Sequence, residues 1–489
     1  TVVVNAGTSL SDNSSDLLGY GGPIRDTGVP NVFNVFDLDN AKKRATQEGS
    51  EEMTQSIFAS AEIGWKSMLY LTLTGRNDWA SQLKGSNPTS FFYPSVGLSA
   101  VISEMVTLPK AIDYLKVRGS FSSVGTPYPR FLVQPTYSYD PTKQDWNAKT
   151  HYPIGKLKPE RTDSWEIGVD GTFFKDFKVS GSFYYANTYN QTFDPKITVS
   201  SGYSTLYVQT GYVRNLGVEG LLSYGHTWRD FGWNSNFTFS WNKNKIVELV
   251  KDYVHPETGE IVNKDRLELK GLGYTKFILK EGGALGDLYT NADFIRDDKG
   301  YIQIDKNGDV AKTDNLPDIK LGSVFPKANL AWNNSFSYKG IYAGFQLSAR
   351  LGGIVYSATQ AALDQYGVSE ASAAARDRGG VLVNGRSWVN AQQYYEIVAT
   401  SSGLPQYYTY SATNLRLQEA HIGYTIPRKW LGNICDINVS VVGRNLWMIY
   451  CKAPFDPEAI ATTNNFYQGI DYFMMPSTRN FGFNVKINF

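Results

Sequence analysis

The chain has 489 residues and a formal net charge of +1. That balance leaves no basic footprint for nucleic acid, and the length exceeds what one small domain needs. Aromatic residues make up 14%, high for a soluble protein, yet no stretch approaches the roughly 18 consecutive apolar residues of a membrane-spanning helix.

The opening stretch TVVVNAGTSL has no basic n-region and no cleavage site, so no signal peptide is visible. Either an export signal has been removed or the chain begins within a longer product. An alternating segment covers 1–8, followed by others at 53–65 and 67–79. In the last of these Leu69, Leu71 and Leu73 oppose Tyr70, Thr72, Thr74 and Arg76. Further segments cover 91–103, 112–124 and 161–174. In 161–174, Trp165, Ile167, Val169 and Phe173 oppose Glu166, Gly168, Asp170 and Thr172. In 177–191, Phe177, Val179, Phe183 and Tyr185 oppose Lys178, Ser180, Ser182 and Tyr184. After 212–228 comes 232–249, where Trp233, Ser235, Phe237, Phe239 and Trp241 oppose Asn234, Asn236, Thr238, Ser240 and Asn242. The series closes with 329–338, 341–354, 413–426, 434–448 and 478–489. Period-2 alternation reads as half-buried strands. Many of the 14 segments run to 12 residues or more, whereas strands of soluble proteins usually have about 5–6. A tilted strand needs about 9–11 residues to cross a bilayer.

The connections alternate in length. Short ones fall at Lys66, 104–111, Lys175–Asp176, 229–231, Lys339–Gly340 and 427–433. Long ones fall at 9–52, 80–90, 125–160, 192–211, 250–328, 355–412 and 449–477. This parity is the plan of an outer-membrane β-barrel, with tight periplasmic turns and long extracellular loops. Aromatics gather at the short turns: Phe173, Phe174 and Phe177; Trp228, Phe231 and Trp233; Tyr338 and Tyr342; and Trp430. An interfacial girdle against the lipid bilayer accounts for them, beside the ordinary preference of aromatics for strands. Polar residues on one face of so many strands line a wide, wet or plugged lumen.

No enzyme signature is present. His151, His226, His255 and His421 do not stand at metal-ligand spacing with another His or Cys. Neither G-x-S-x-G nor a P-loop occurs. If Cys435 and Cys451 lie along one extended strand, roughly 40–50 Å separates them, so both are read as unpaired. No cofactor is required. One loop, DDKGYIQIDKNGDVAKTD, sets Asp305, Asn307 and Asp309 around Gly308 like the first half of a calcium loop. An Asn-Gly hairpin turn is the plainer reading of the same residues. The long loops carry tyrosines in QPTYSYD, QQYYEIV, LPQYYTYSATN and NNFYQGIDYFMM, suited to loop packing, a protein contact or stacking on a sugar.

The last segment ends on an apolar face: Phe481, Phe483, Val485, Ile487 and Phe489. This reads as the lipid-facing stripe of a final strand, and a terminal Phe after such alternation resembles the signal read by the outer-membrane assembly machinery.

Several stretches resemble successive barrel strands of the SusC/RagA family, the TonB-dependent outer-membrane transporters of Bacteroidetes. They are YLTLTGRNDWASQL, FFYPSVGLSAVISEM, YLKVRGSFSSVGT, LKPERTDSWEIGVDGTFF, VRNLGVEGLLSY, FSYKGIYAGFQL, LRLQEAHIGYTIP and VVGRNLWM. The similarity covers nearly the whole chain, in the family's order. It implies a 22-stranded barrel, an N-terminal plug inside it and a TonB-contacting segment ahead of the plug. None of those N-terminal parts is visible in 1–489, so the chain is expected to be the C-terminal barrel portion, lacking about eight strands. The family often shows Asp-x-Asn-Gly-Asp-Gly at the candidate calcium loop; here the final position is Val310. The implied function is import of oligosaccharides or oligopeptides into the periplasm, with a SusD-like lipoprotein lid and TonB-dependent energy coupling. The alternatives are a passive 14-stranded pore and a barrel-based surface adhesin.

Overall fold

In the computed structural model all 14 alternating segments form strands, and these pair in chain order into one antiparallel sheet. They are β1 (Val2–Gly21), β2 (Arg44–Trp65), β3 (Leu69–Ala80), β4 (Ser90–Val101), β5 (Ile112–Thr126), β6 (Glu160–Phe173) and β7 (Phe177–Phe193). The series continues with β8 (Val208–Trp228), β9 (Phe231–Glu248), β10 (Ala328–Tyr338), β11 (Ile341–Leu351), β12 (Asn414–Ile426), β13 (Asp436–Cys451) and β14 (Asn480–Asn488). The structure describes the chain except residues 27–31, 33, 87–88, 127–131, 133–137, 141–144, 148–150, 153–159, 194–204, 207, 255–258, 260 and 463–467. β1 and β14 stand at the two ends of the sheet, and neither has a second strand partner among the described residues.

The short connections are true hairpins. Trp228 pairs with Phe231 and Tyr338 with Ile341, leaving two-residue turns. Lys339 and Gly340 both take positive φ, 46° and 90°. These mirror-image turns match the right-handed twist of the strands they join. Phe174 and Lys175 do the same between β6 and β7, and the Lys175 amide donates to Asp113 at 2.6 Å.

The first two strands run further than the alternation indicates. β1 continues to Gly21 and β2 begins at Arg44, so the expected 9–52 connection contracts to 22–43. The added rungs are mostly polar, such as Ser14↔Glu51 and Asp16↔Gly49, and their apolar residues Leu10, Leu17 and Leu18 do not keep to one face. A strand with water on both sides needs no alternation, so period alone does not reveal it.

The long connections hold the second layer. Between β9 and β10 a four-stranded sheet is built from Arg266–Lys270, Lys276–Lys280, Asp287–Thr290 and Ile319–Ser323. Between β11 and β12 lie three short helices, α1 (Ala358–Gln365), α2 (Glu370–Asp377) and α3 (Ala391–Val398). Each has a polar N-cap: Ser357, Ser369 and Asn390 accept amides of the first turn. Ile354–Ser357 pairs with both Thr409–Ser411 and Ile470–Asp471, joining two long connections in one small sheet. Phe277, Leu288, Val324, Val398, Leu404, Tyr408 and Ile470 are buried together. The connections 249–327, 352–413 and 452–479 therefore share one apolar core and form a folded layer, not separate polar loops.

This layer rests on one face of the wall. Val213 of β8 and Ile246 of β9 are cross-strand neighbours, and both are buried against Leu249, Leu267, Leu279 and Leu285. Their face is the inner one. The other face presents Val179, Leu222 and Phe237, all exposed.

Candidate functional site: inner wall and long-connection end

Midway along the wall, inner-facing polar side chains meet around Arg118 of β5. Its Nη1 donates to Asp170 Oδ2 at 2.8 Å and its Nη2 to Glu166 Oε1 at 3.2 Å. The two acids lie four residues apart on β6, hence on the same face. Ser180 of β7 donates its hydroxyl to the other Asp170 oxygen at 2.6 Å. Gly168 lies between the acids, and a Cβ there would sit 2.6 Å from the Arg118 guanidinium carbon. The missing side chain is what lets the guanidinium lie flat on the wall.

Two hollows flank Arg118. The larger, about 400 Å³, is lined by Ser180, Ser182, Glu219, Thr238, Ser240 and Asn329. The smaller, about 190 Å³, includes Thr72, Ser99, Lys116, Ser120 and Glu166. Their linings mix hydroxyls, an amide and charges with apolar residues, among them Leu221, Phe239, Leu330 and Ala331 in the larger and Leu98 in the smaller. Charged and hydroxyl groups at this density are not the lining of a dry core.

The layer at the long-connection end is held by buried polar contacts. Arg416 of β12 binds Asp456 of the last long connection through two bonds, 3.1 and 2.7 Å. Ser477 donates to Asp456 at 2.6 Å. Asp364 of α1 is buried and accepts from the Tyr408 hydroxyl at 2.9 Å, from Gln360 and from Ser369. Burial first, then the Asp364 charge, pushes the Tyr408 hydroxyl far above its ordinary range. Tyr394 is also buried enough to be pushed up to about 12. These two residues of the tyrosine-rich stretches are packing residues. Tyr407, by contrast, is exposed and receives a bond from Arg296 at 3.3 Å.

At the short-turn end the outward aromatics gather in a row, joined by ring contacts from Phe177 through Tyr224, Trp228, Trp233 and Phe231 to Phe336, with Tyr424 and Trp430 as a further pair. Trp228 stacks with Phe231 at 5.9 Å, and Trp233 with Phe336 at 6.4 Å. Phe174, Phe177, Tyr338 and Trp430 are exposed, and Phe173 pairs with Phe177 on the same face. Tyr342 does not belong to this row. Tyr338 faces Ile341 across the two-residue turn, so Tyr342 falls on the inner face, near His421. Phe336, Tyr224 and Tyr424 join the row and were not singled out from sequence; strand parity would have found them.

The family described as TonB dependent receptor-like, beta-barrel, matches residues 4–446. The chain belongs to this family. Among its relatives is TonB-dependent receptor P3 of Formosa agariphila, 24% identical over 88% of this chain and 45% of that protein. TonB-dependent receptor SusC of Bacteroides thetaiotaomicron is 22% identical over 80% of this chain and 40% of its own length. A solved structure of the RagAB peptide importer in the 'open-open' state superposes over all of this chain and 52% of that one, with TM-score 0.74 and 16% identity. The chain thus spans about half the length of the proteins it matches.

In this TonB-dependent receptor barrel the terminal stripe is well exposed: Phe481 76%, Phe483 70%, Val485 50%, Ile487 49% and Phe489 84%. Phe483 pairs with Val441 and Val485 with Val439, so the stripe extends an apolar outer face across β13.

The candidate calcium loop is a hairpin tip. Asp305 Oδ1 accepts the amides of Asn307 and Asp309 at 2.8 and 2.9 Å. The Gly308 amide donates to the Asp305 carbonyl, and Gly308 takes φ +86°. One Asp309 oxygen is buried without a hydrogen bond. Among the described residues no group of three or more His, Cys, Asp or Glu stands ready for a metal. The backbone closes a tight turn at the hairpin tip, with Gly308 in the left-handed region.

His226 pairs with Asp176 at 2.8 Å beside the aromatic row, and His421 stands 3.9 Å from Glu419. His255 and the tyrosine stretches at 134–137 and 463–467 lie outside the described residues. Cys435 and Cys451 are both free.

Proposed function

We propose that this chain is the C-terminal wall, lumen lining and outer mouth of a SusC-like importer in the bacterial outer membrane. The observation that carries the reading is the polar, ion-paired inner face around Arg118 beneath a folded layer at the long-loop end. A face that must accommodate a movable body needs charges and hydroxyls, not an apolar core. The long connections are placed outside and the short turns in the periplasm. The unpaired edges of β1 and β14 support further strands of the same polypeptide completing a 22-stranded barrel, because open edges are not tolerated in lipid. The same edges weigh against a closed 14-stranded pore. A plug fills the lumen, a SusD-like surface lipoprotein covers the mouth, and TonB acts through the plug. The transported solute is an oligosaccharide or oligopeptide.

Isolation of the native protein from outer membranes tests this. A polypeptide about twice the mass of this chain, recovered together with a surface lipoprotein, is the expected result. A chain of this mass alone, conducting ions without energy input, contradicts it.

A further inference from the structure

The outer face of β7, β8 and β9 changes character above its apolar stretch. On β9 the outward series runs Phe237, Phe239, Trp241, Lys243, Lys245. On β8 it runs Leu222, Val218, Leu216, Arg214, Tyr212 towards the long-loop end, and Arg214 lies directly opposite Lys245. On β7, Tyr185 and Asn187 lie opposite Leu216 and Arg214. Roughly ten residues separate Trp233 from Lys243. At about 3.3 Å each and a tilt near 40°, they raise Lys243 about 25 Å, the height of the apolar band. The cations therefore stand at headgroup level.

Lys243 and Lys245 are exposed and have no acid in ion-pair range among the described residues. Among the described residues, Arg214 is held by neutral groups. It donates to the Tyr212 hydroxyl at 2.6 Å and to Asn187 at 3.3 Å, and lies 5.1 and 5.5 Å from the ring centres of Tyr185 and Tyr212. Tyr189 stacks on Tyr212 at 4.9 Å. Among the described residues, Asp163 is engaged by Arg161 and Glu248 by Lys251. Like charges directly opposite one another destabilise a sheet, so Arg214 facing Lys245 calls for an anion. The inner face behind them is sealed by the buried Val213 and Ile246, so that anion comes from outside the wall. The patch is local: above the apolar stretch of β3, β4 and β5 the outward positions include Asn77, Trp79, Phe92 and Ser123, none cationic.

We infer that Arg214, Lys243 and Lys245 form a site for the phosphorylated headgroup of the outer-leaflet glycolipid. Tyr185, Tyr189 and Tyr212 hold the guanidinium flat for a bidentate phosphate contact, and Trp241 and Leu216 lie beneath the acyl chains. The inference rests on the proposed orientation, long connections outside.

The test uses the full-length protein in nanodiscs of neutral phosphatidylcholine doped with lipid A, with bound lipid counted by native mass spectrometry. K243Q/K245Q is expected to reduce lipid A retention about 10-fold or more. K243R/K245R retains it, and inner-face K178Q leaves it unchanged. Equal retention by wild type and K243Q/K245Q overturns the site. So does equal retention of dephosphorylated lipid A. Phosphatidylglycerol or inorganic phosphate binding as tightly as lipid A overturns the glycolipid assignment. An epitope inserted after Gly308 and read on intact cells reports the orientation separately, so that a failure there is distinguishable from a failure of the lipid site.

Discussion

Arg416 on β12 and Asp456 in the connection from β13 to β14 form a bidentate ion pair, 5% and 9% exposed. They are 40 residues apart, and their contact ties the last long connection to the inner rim of the wall. Asn445, Glu458 and Ser477 complete the contact. Removing Asp456 leaves the buried Arg416 guanidinium with Glu458 as its remaining acid, at a cost of up to about 3–5 kcal/mol. Asp456→Ala should therefore release residues 452–479 while the wall stays intact. Hydrogen exchange on that connection checks it; unchanged protection would show that the pair does not hold it.

The same pair sets a pH dependence. Burial alone would raise the Asp456 carboxyl, but the Arg416 and Ser477 hydrogen bonds and the Glu458 amide outweigh it and hold it below the usual range. A carboxyl lowered on folding stabilises above its unfolded value, about 3.9, and that contribution is lost as pH falls through the folded value. Protection of 452–479 should be flat from neutral pH to about 4 and fall below it. Loss of protection near pH 6 would assign the control to another group.

Phe237 is outward-facing and in contact with lipid on this account. Phe237→Arg should cost about 2–4 kcal/mol near the midplane, while Thr238→Arg, on the inner face, should be tolerated. A loss below about 0.5 kcal/mol for Phe237→Arg would reverse the two faces.

Gly168 tests the inner wall. A Cβ there meets the Arg118 guanidinium at 2.6 Å, so Gly168→Val should displace Arg118 from Glu166 and Asp170. The barrel should still assemble, and solute uptake should change. A structure of the variant with both ion pairs intact would remove Gly168 from the account.

Deleting 355–412 removes Val398, Leu404 and Tyr408 from the core they share with Phe277, Leu288 and Ile470. The wall should still insert, but limited proteolysis should now cut within 249–327 and 452–479. Resistance of both connections would mean that the layer is not one unit.

The wall was legible because each membrane-crossing strand has lipid on one face and a polar interior on the other, which writes period 2 into the sequence. Where that asymmetry ends the signal ends too, as in the upper half of β1 and β2. The folded layer was not legible. Its strands have two to five residues and its helices eight, too short for a period to accumulate. Tyr342 was misplaced because nearness to a turn was used where parity decides: a two-residue turn makes Ile341, not Tyr342, the outward neighbour of Tyr338. The Arg118 cluster depends on register across β5, β6 and β7, and residues 48 and 52 apart carry no local spacing to betray it.

Uptake by cells separates energised import from a passive pore directly. Cells carrying the full-length gene, or lacking it, are given a labelled mixture of oligosaccharides and oligopeptides, with and without a protonophore that collapses the inner-membrane gradient. The expected result is gene-dependent accumulation of at least one solute class in the periplasm, abolished by the protonophore. Gene-dependent entry that persists without the gradient would contradict energised import and establish a passive pore.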